Sequence, residues 1–223
     1  ELVAVAACLV LCIAIPLGVY AGAYPKRASS KLIMSGSILG ISLPSFWVGM
    51  MMIYIFAVVL RLLPASGRGN TVMVGNVALS IFAPGGIRYV ILPAITLALT
   101  NVATMLRLTR SGILENMRQD YIKFARAKGV PAKSILFGHA LKNALIPVVT
   151  IFGMDLGNMI AFTTITETIF AWPGMGKLLI DAINKSDRPI IVAYLMAAAC
   201  MFVVLNFIVD ILYTLIDPRI ELR

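Results

Sequence analysis

Few residues in this sequence could take part in acid–base, nucleophilic or metal chemistry. Asp155 and Asp210 are the only acidic residues well inside long apolar runs, and His139 is the only histidine. An ionised Asp in hydrocarbon costs roughly 2.5 to 3.5 kcal/mol, so each must face protein or water. A single histidine cannot build a multi-histidine metal site. These residues indicate proton or solute handling inside a membrane, or buried hydrogen bonds, and we expect no metal and no cofactor.

Two further patterns could suggest reactive groups. Cys8, Cys12 and Cys200 all fall in apolar runs, where a thiol behaves as a small hydrophobic group. The stretch "GMGKLL" includes a Gly-Lys pair, but Ala171 replaces the first glycine of a phosphate loop and Leu178 replaces its Ser or Thr. We therefore expect neither a disulfide framework nor ATP hydrolysis in this chain, and we predict that it is not an enzyme.

The elements that must position these residues are hydrophobic helices. The 223 residues are 60% hydrophobic and 13% charged, which is far too apolar for a soluble domain. Five runs each meet the roughly 18 to 20 residues that a helix needs to span hydrocarbon. The sequence thus predicts an all-α, polytopic transmembrane bundle with spans at Leu2 to Tyr24, Leu32 to Leu60, Tyr89 to Leu106, Asn143 to Thr166 and Ile190 to Ile216.

The basic residues are unevenly distributed between the loops. Thirteen of the nineteen Lys and Arg residues lie in residues 24–31, 107–142 and the C-terminal tail, and six lie in residues 61–88 and 167–188. The positive-inside rule puts the 107–142 loop and the C-terminus in the cytoplasm. This topology explains the net charge of +9 without a nucleic-acid partner.

The chain reads as one transmembrane domain, residues 1–223. It has no internal repeat and no long linker, and the Gly-rich segment 61–88 is predicted to be a loop. Five spans place Glu1 outside, so we expect a further N-terminal span and an extracytoplasmic segment that this sequence does not include. Pro16, Pro44 and Pro93 are expected to kink the spans in which they lie.

The basic loop has the features of two short helices. Residues 116–128 are good helix formers, and Met117, Tyr121 and Phe124 form an apolar stripe at i, i+4 and i+7. Gly129 is a plausible stop, and Pro131 suits the first turn of a second helix that runs to about Lys142.

Periodicity and charge leave two roles open for this loop. Arg126, Lys128, Lys133 and Lys142 could hold the helices against anionic lipid. Alternatively, the aromatic residues Tyr121, Phe124 and Phe137 could be anchors for a cytoplasmic partner.

Several long motifs extend this interpretation. The chain contains the motifs "ILPAITLAL", "ARAKG", "HALKNALIPVVT", "TETIFAWPGMGKLLIDAI" and "DILYTLIDPR". In these motifs and in their order, over essentially its whole length, it resembles the permease subunits of ABC importers in the dipeptide, oligopeptide and nickel branch. The resemblance implies the fold of a type I (MetI-like) ABC importer permease. It also implies an alternating-access pathway for peptides or related small solutes.

The resemblance makes residues 111–142 the coupling-helix loop that docks on an ATPase subunit. The general Glu-Ala-Ala of importer permeases is replaced by Lys123, Phe124 and Ala125, so a contact made by that Glu is not carried over. The residues implied in ATPase contact are Tyr121, Phe124, Ala125, Arg126, Ala127, Lys128, Gly129, Phe137 and His139.

Two other groups of residues are candidate site residues. Asn101, Asp155 and Asn158 are expected to line the translocation pathway, because an acid inside a span must face protein or water; alternatively, Asp155 is a protonated or hydrogen-bonded packing residue. Pro173-Gly174 is predicted to form an external turn, followed by a short amphipathic helix. The resemblance implies that this region is the external gate, on the side of the binding protein, with Glu167, Trp172, Pro173 and Gly174.

The implied complex lies in the bacterial inner membrane. Its other members would be a second homologous permease, two cytoplasmic ATP-binding subunits that hydrolyse ATP, and an extracytoplasmic solute-binding protein, with membrane lipid around the spans. The rival function is an ion-coupled secondary transporter with Asp155 and Asp210 as proton sites. The basic loop would have no purpose in that transporter.

Overall fold

The computed structural model describes residues 1–216, apart from the side chains of residues 205, 209, 210 and 212–216. Most of that part is helical, which confirms the predicted fold class. In chain order the elements are α1 Leu2–Ala23, α2 Ala28–Ser42, α3 Ser45–Met52 with its π-helical continuation Ile53–Val59, β1 Val72–Val74, β2 Val77–Leu79, α4 Ile87–Asn116, α5 Asp120–Ala127, α6 Ala132–Ser134 with its π-helical continuation Ile135–Ala140, α7 Leu141–Ile169, α8 Met175–Asn184 and α9 Arg188–Ile216.

Four helices in the described part are long and apolar enough to cross a membrane. They are α1, α4, the 38-residue helix Ala132–Ile169 that joins α6 to α7, and residues Arg188–Ile208 of α9. A fifth crossing is possible if α2 and the α3 segment are taken as one broken span.

The predicted span from Leu32 to Leu60 is bent by 104° between α2 and the α3 segment. Pro44 lies at the break with φ −60° and ψ 135°. It has no N–H to donate, and its ring disfavours the helical conformation of the residue before it. The carbonyl of Pro44 then accepts the N–H of Val48 at 3.1 Å, which begins α3. Pro16 and Pro93, in contrast, lie inside α1 and α4 without ending them.

A short β-hairpin lies in the Gly-rich segment that was predicted to be a loop. β1 and β2 pair antiparallel, with Val74 opposite Val77. Gly75 in the turn has φ 63°, a left-handed conformation that glycine adopts without steric cost. The all-α class still describes the chain, because the hairpin is only a small insertion between α3 and α4.

The chain divides into two compact units. The first comprises Glu1–Leu9, Leu43–Leu99 and Leu156–Asn206; the second comprises Val10–Ser42, Thr100–Asp155 and, within the described part, residues 207–216. The first unit has a buried cluster of Leu2, Val90, Ala94 and Trp172. The second has a buried cluster of Val19, Ile113, Ile122, Ile135, Ala140 and Ala144.

Small residues bring the helices of the second unit close together. A Cβ on Gly22 of α1 would lie 2.7 Å from the Cβ of Ile113 on α4. A Cβ on Gly112 would lie 3.0 Å from the Cβ of Ala144 on α7. Such contacts allow backbones to approach closely, as is typical of helix packing in membranes, and they fix the three helices that support the basic loop.

Candidate functional site

The basic loop begins with a break that the sequence did not predict. We expected one helix over residues 116–128, but α4 ends at Asn116 and α5 begins at Asp120. The N–H groups of Arg118 and Gln119 bond to carbonyls only three residues back, and the Asn116 amide donates to the Gly112 carbonyl at 2.8 Å. This tightened turn leaves Met117 outside α5, so the predicted Met117–Tyr121–Phe124 stripe on one helix was wrong.

The buried face of the loop is formed by isoleucines instead. Ile122 of α5 is fully buried, and Ile135, after α6, is almost so. Both pack in one cluster with Val19, Ile113 and Ala144. Full burial of such a side chain is worth about 1.5 to 3 kcal/mol. The cluster thus fixes α5 to the ends of α1, α4 and α7. The second helix was predicted to be short and to end near Lys142, but this was wrong, because α6 continues through Ile135–Ala140 into α7 as one helix.

The turn between α5 and α6 is a Schellman motif. Gly129 has φ 76°. Its N–H donates to the Arg126 carbonyl at 3.0 Å, and the N–H of Val130 donates to the Ala125 carbonyl at 3.1 Å. These bonds satisfy carbonyls left free at the helix end, so the stop predicted at Gly129 is confirmed. Pro131 lies directly before Ala132, at the N-cap position rather than within the first turn.

A hydrogen-bond chain through Tyr121 links three helices. The Tyr121 hydroxyl donates to Asn116 Oδ1 at 2.8 Å and accepts from Asn143 Nδ2 at 3.0 Å. Asn116 ends α4 and Asn143 lies in the first turn of α7. The hydroxyl therefore connects α5 to both long helices, and we call these three residues the Tyr121 link.

The remaining face of the loop is open to solvent. Phe124 is 62% exposed and Phe137 is 58% exposed. The Lys128 ammonium lies 4.5 Å from the centroid of the Phe124 ring, a cation–π distance. Arg126, Ala127 and His139 are also exposed. Ala125 is half-buried and packs against the isoleucine cluster.

Asp120 begins α5 and carries the only acidic charge in its first turn. Its carboxylate accepts a hydrogen bond from Lys123 Nζ at 2.8 Å, and this bond, followed by the attraction of the ammonium, holds the pKa of Asp120 below its usual value. The carboxylate is thus ionised at neutral pH, where it favours the N-terminus of α5. Both side chains are largely exposed, so the pair adds little stability.

The four residues predicted for the external gate lie together in the first unit. Glu167, Trp172, Pro173 and Gly174 all line one cavity of about 640 Å³. Its other walls come from α1, α7, α8 and α9, with Thr163, Tyr194 and Ala198 among the lining residues. The lining is mostly apolar with a few polar groups, which is typical of small-molecule sites.

Glu167 fastens α8 to the end of α7. Its buried carboxylate accepts the backbone N–H of Lys177 at 2.9 Å, in the first turn of α8. Gly174 leaves the space that this carboxylate occupies, because a Cβ there would collide with it. A Cβ on Gly176 would collide with Thr164 in the same way. The short helix predicted after Pro173–Gly174 is confirmed as α8, but the turn lies earlier, at residues 170–171, and Gly174 is the extended N-cap of α8.

An ion pair closes another side of this cavity. Arg68 Nη2 lies 2.7 Å from Glu1 Oε2, and the Arg68 guanidinium carbon lies 5.6 Å from the centroid of the Trp172 ring. Glu1 Oε1 also accepts the backbone N–H groups of Ser80 and Ile81 at 2.6 and 2.8 Å. Because the Glu1 carboxylate is buried, pairing and hydrogen bonds must offset its desolvation.

The predicted pathway residues are placed along two helices. Asn101 lies in α4, and Asp155 and Asn158 lie in α7. Asn101 and Asp155 are half-buried, and each interacts with other residues of the chain. Asn158 is exposed. The side chain of Asp210 lies outside the described residues. Among those described, no group of three or more His, Cys, Asp or Glu could hold a metal ion.

Sequence reasoning missed the residues that position the loop. Asn116 and Asn143 were not singled out, although they lie near the two ends of the loop. Asn116 stands among charged and polar residues, so the sequence did not mark it as special. Ile122 was missed because the apolar stripe was placed on a continuous helix and so on the wrong face.

A comparison with solved structures identifies the fold. The chain superposes on a chain from a structure described as inward facing conformations of the MetNI methionine ABC transporter, with a TM-score of 0.72. The alignment covers 97% of this chain and 91% of that chain, at 14% sequence identity. The fold is therefore that of a type I ABC importer permease, a polytopic helical membrane protein.

Sequence comparison then gives the family. Residues 14–222 match the binding-protein-dependent transport system inner membrane components, and the chain belongs to this family. The di/tripeptide transport system permease protein DppB of Pseudomonas aeruginosa is 42% identical over 201 residues, which are 85% of this chain and 60% of that protein. The oligopeptide transport system permease protein AppB of Bacillus subtilis is 41% identical over 220 residues, 99% of this chain and 68% of that protein.

A third relative is the dipeptide transport system permease protein DppB of Escherichia coli K12, at 36% identity over 224 residues. That match covers 94% of this chain and 66% of the relative. The chain thus spans about three-fifths to two-thirds of the length of these proteins.

Proposed function

We propose that this protein is a membrane-spanning subunit of an ATP-driven importer for peptides or related small solutes. Family membership and the permease fold support a transport role. The relatives named above are di/tripeptide, dipeptide and oligopeptide permeases, which supports the peptide class of solute. The protein forms part of the translocation pathway and carries out no covalent chemistry.

The proposed orientation follows the distribution of charge. The loop at residues 107–142 and the C-terminus face the cytoplasm, and the hairpin and α8 face the opposite side. Thirteen of the nineteen basic residues then lie on the cytoplasmic side, as the positive-inside rule requires. The helices proposed to cross the membrane are α1, α4, Ala132–Ile169 and α9, which are long and apolar enough.

The exposed face of α5 carries the proposal of coupling. Phe124 and Phe137 are exposed, while Ile122, the Gly129 turn and the Tyr121 link hold the same segment firmly. Aromatic side chains presented on a rigid support are typical anchors in protein interfaces. A rigid element passes on a push that a flexible loop would absorb. We therefore infer that α5 and the turn after it dock on a cytoplasmic ATP-binding subunit.

The remaining partners follow from that role. The complex contains a second permease, two ATP-binding subunits that carry out ATP hydrolysis, and a solute-binding protein outside the membrane. Asn101, Asp155 and Asn158 contribute to the pathway, and the cavity beside Glu167 and Trp172 forms its outer end. Closure of the ATPases shifts the population between inward-facing and outward-facing states.

The lipid-surface role remains the competing explanation for the basic loop. Arg126, Lys128 and Lys133 are exposed, and such residues attract anionic headgroups. Lipid contact alone, however, gives no reason to hold the segment by a buried cluster, a capped turn and the Tyr121 link together.

Reconstitution tests the proposal. The full-length protein and the subunits that purify with it are placed in lipid vesicles, and uptake of dialanine is measured with ATP on the side of the ATPase subunits. We expect uptake that requires both ATP and the solute-binding protein. Uptake driven by a proton gradient without ATP would support the ion-coupled rival and make Asp155 the residue to study.

A further inference from the structure

A second concave surface in the first unit carries two arginines. Arg61 and Arg88 line a pocket of about 490 Å³ that is open to solvent, between the end of the α3 segment and the start of α4. Leu63, Pro64, Asn70 and Tyr89 form other parts of its wall. We call this surface the arginine pocket. No residue of the coupling loop, the predicted pathway or the Glu167 cavity belongs to it.

The two guanidinium groups have no partner within the part of the chain that the structure describes. Neither the Arg61 nor the Arg88 side chain forms an ion pair or a hydrogen bond there, and no acidic residue lines the pocket. Arg68, seven residues after Arg61, differs because it pairs with Glu1 at 2.7 Å. Two like charges beside one pocket repel each other, and a bound anion would relieve that repulsion.

The backbone around the pocket is held in uncommon conformations. Arg61 has φ 51°, and Gly69 and Gly85 have φ 68° and 76°. A left-handed conformation costs a non-glycine residue roughly 1 to 2 kcal/mol, and such strain is frequently found at functional sites. At Gly69 a Cβ would come within 2.6 Å of the Tyr89 ring, so a side chain there would displace part of the wall.

We propose that the arginine pocket binds a carboxylate, and that this carboxylate belongs to an Asp or Glu side chain of the solute-binding protein. The inference rests on the proposed function, which places the pocket on the outer side. A guanidinium fork matches a carboxylate with two parallel hydrogen bonds. Both arginines are exposed, so a protruding side chain of a large partner reaches them without any opening of the permease.

Binding of the partner to charge variants tests this assignment. The assembled transporter, with its full-length permease, is held in nanodiscs, and its affinity for the solute-binding protein is measured at low and high salt. We expect Arg61→Gln and Arg88→Gln each to weaken binding roughly tenfold at low salt, and the double variant roughly a hundredfold. The loss shrinks at high salt because screening weakens the wild-type contact.

Lys185→Gln is the matched control. Lys185 is exposed in the turn after α8 and is absent from the pocket lining. It lies on the same proposed side and loses the same charge, so we expect less than about a twofold change. A Lys substitution at one acidic surface residue of the binding protein should restore its affinity for Arg88→Glu.

Two results would overturn the proposal. The first is equal affinity of the wild type and the double variant for the solute-binding protein, which would show that the pocket has no role in docking. ATP-dependent uptake would still support the proposed function in that case. The second comes from phenylglyoxal labelling of the permease alone. If dialanine protects Arg61 and Arg88 whereas dialanine amide does not, the carboxylate comes from the solute. A wild-type complex that binds no solute-binding protein would instead contradict the proposed function itself.

Discussion

At the residue scale, the Tyr121 hydroxyl is the smallest group on which the coupling account depends. It bonds to Asn116 and Asn143, which belong to different long helices. The Tyr121 ring is partly exposed, so its hydroxyl could also be satisfied by water. Its bonds to two protein amides, instead of to water, therefore indicate that the hydroxyl positions α5.

We predict that Tyr121→Phe weakens coupling more than it weakens folding. The loss of a partly exposed hydroxyl should cost about 1 kcal/mol of stability. Because α5 then moves more freely, the variant should hydrolyse more ATP for each dialanine imported. This ratio is measured in the reconstituted vesicles. Tyr54→Phe is the control, because the Tyr54 hydroxyl makes no hydrogen bond in the described part of the chain and is exposed. An unchanged ratio in Tyr121→Phe would show that the link has no role in transmission.

Gly129 supports a second prediction at this scale, because two glycines should respond to alanine with opposite signs. Gly129→Ala forces a left-handed conformation on alanine at φ 76° and should destabilise the loop by roughly 1 to 2 kcal/mol. Gly36→Ala lies in α2 with nothing within 4 Å of the new Cβ. It should stabilise by about 0.5 to 1 kcal/mol.

Hydrogen exchange across residues 120–131, together with thermal unfolding, measures both effects. If Gly129→Ala leaves exchange in this segment unchanged, the turn does not need the left-handed conformation, and the account of its rigidity fails.

At the scale of elements, α8 depends on one buried carboxylate. Glu167→Ala should free the first turn of α8 at a cost of about 1 to 3 kcal/mol, because the N–H of Lys177 loses its acceptor in a buried position. Faster hydrogen exchange in residues 175–184 is the expected result. Asp181→Asn is the control: its bond with Lys177 Nζ lies near the surface and should contribute less than about 1 kcal/mol. Equal exchange in both variants would contradict the anchoring role of Glu167.

The elements also show where sequence reasoning succeeded. The long helices α1, α4, α7 and α9 follow from apolar runs of spanning length, because hydrocarbon forces a backbone to satisfy its own hydrogen bonds. The stop at Gly129 and the helix after Pro173 were also predicted, since each depends on local chemistry that the sequence displays directly.

Other elements depended on context that a linear reading does not contain. Pro44 was expected to kink its span, but a proline in a sequence does not distinguish a small kink from the observed 104° bend. The hairpin was missed because its strands have three residues each, too few to show a period of two. The buried face of α5 was misassigned because a continuous helix was assumed through residues 117–119. The break there rotates every later side chain relative to α4.

At the scale of the whole molecule, a membrane-spanning fold carries on α5 an exposed surface that we propose docks an ATP-binding subunit. The permease fold and family are established by the comparisons, but a fold alone does not give a function. The functional claim depends on what α5 contacts. Phe124 is the residue to change, because it is exposed and fixed in place by the buried face of the same helix.

The most direct measurement is co-purification of the tagged, full-length protein from mild detergent, with each bound protein identified by mass. We predict that an ATP-binding subunit accompanies the wild type and is lost with Phe124→Asp. Met73→Asp is the matched control, since Met73 lies in the hairpin and is 64% exposed; it should retain the subunit. Retention of the ATP-binding subunit by Phe124→Asp, or its equal loss from Met73→Asp, would contradict the claim that α5 is the docking element.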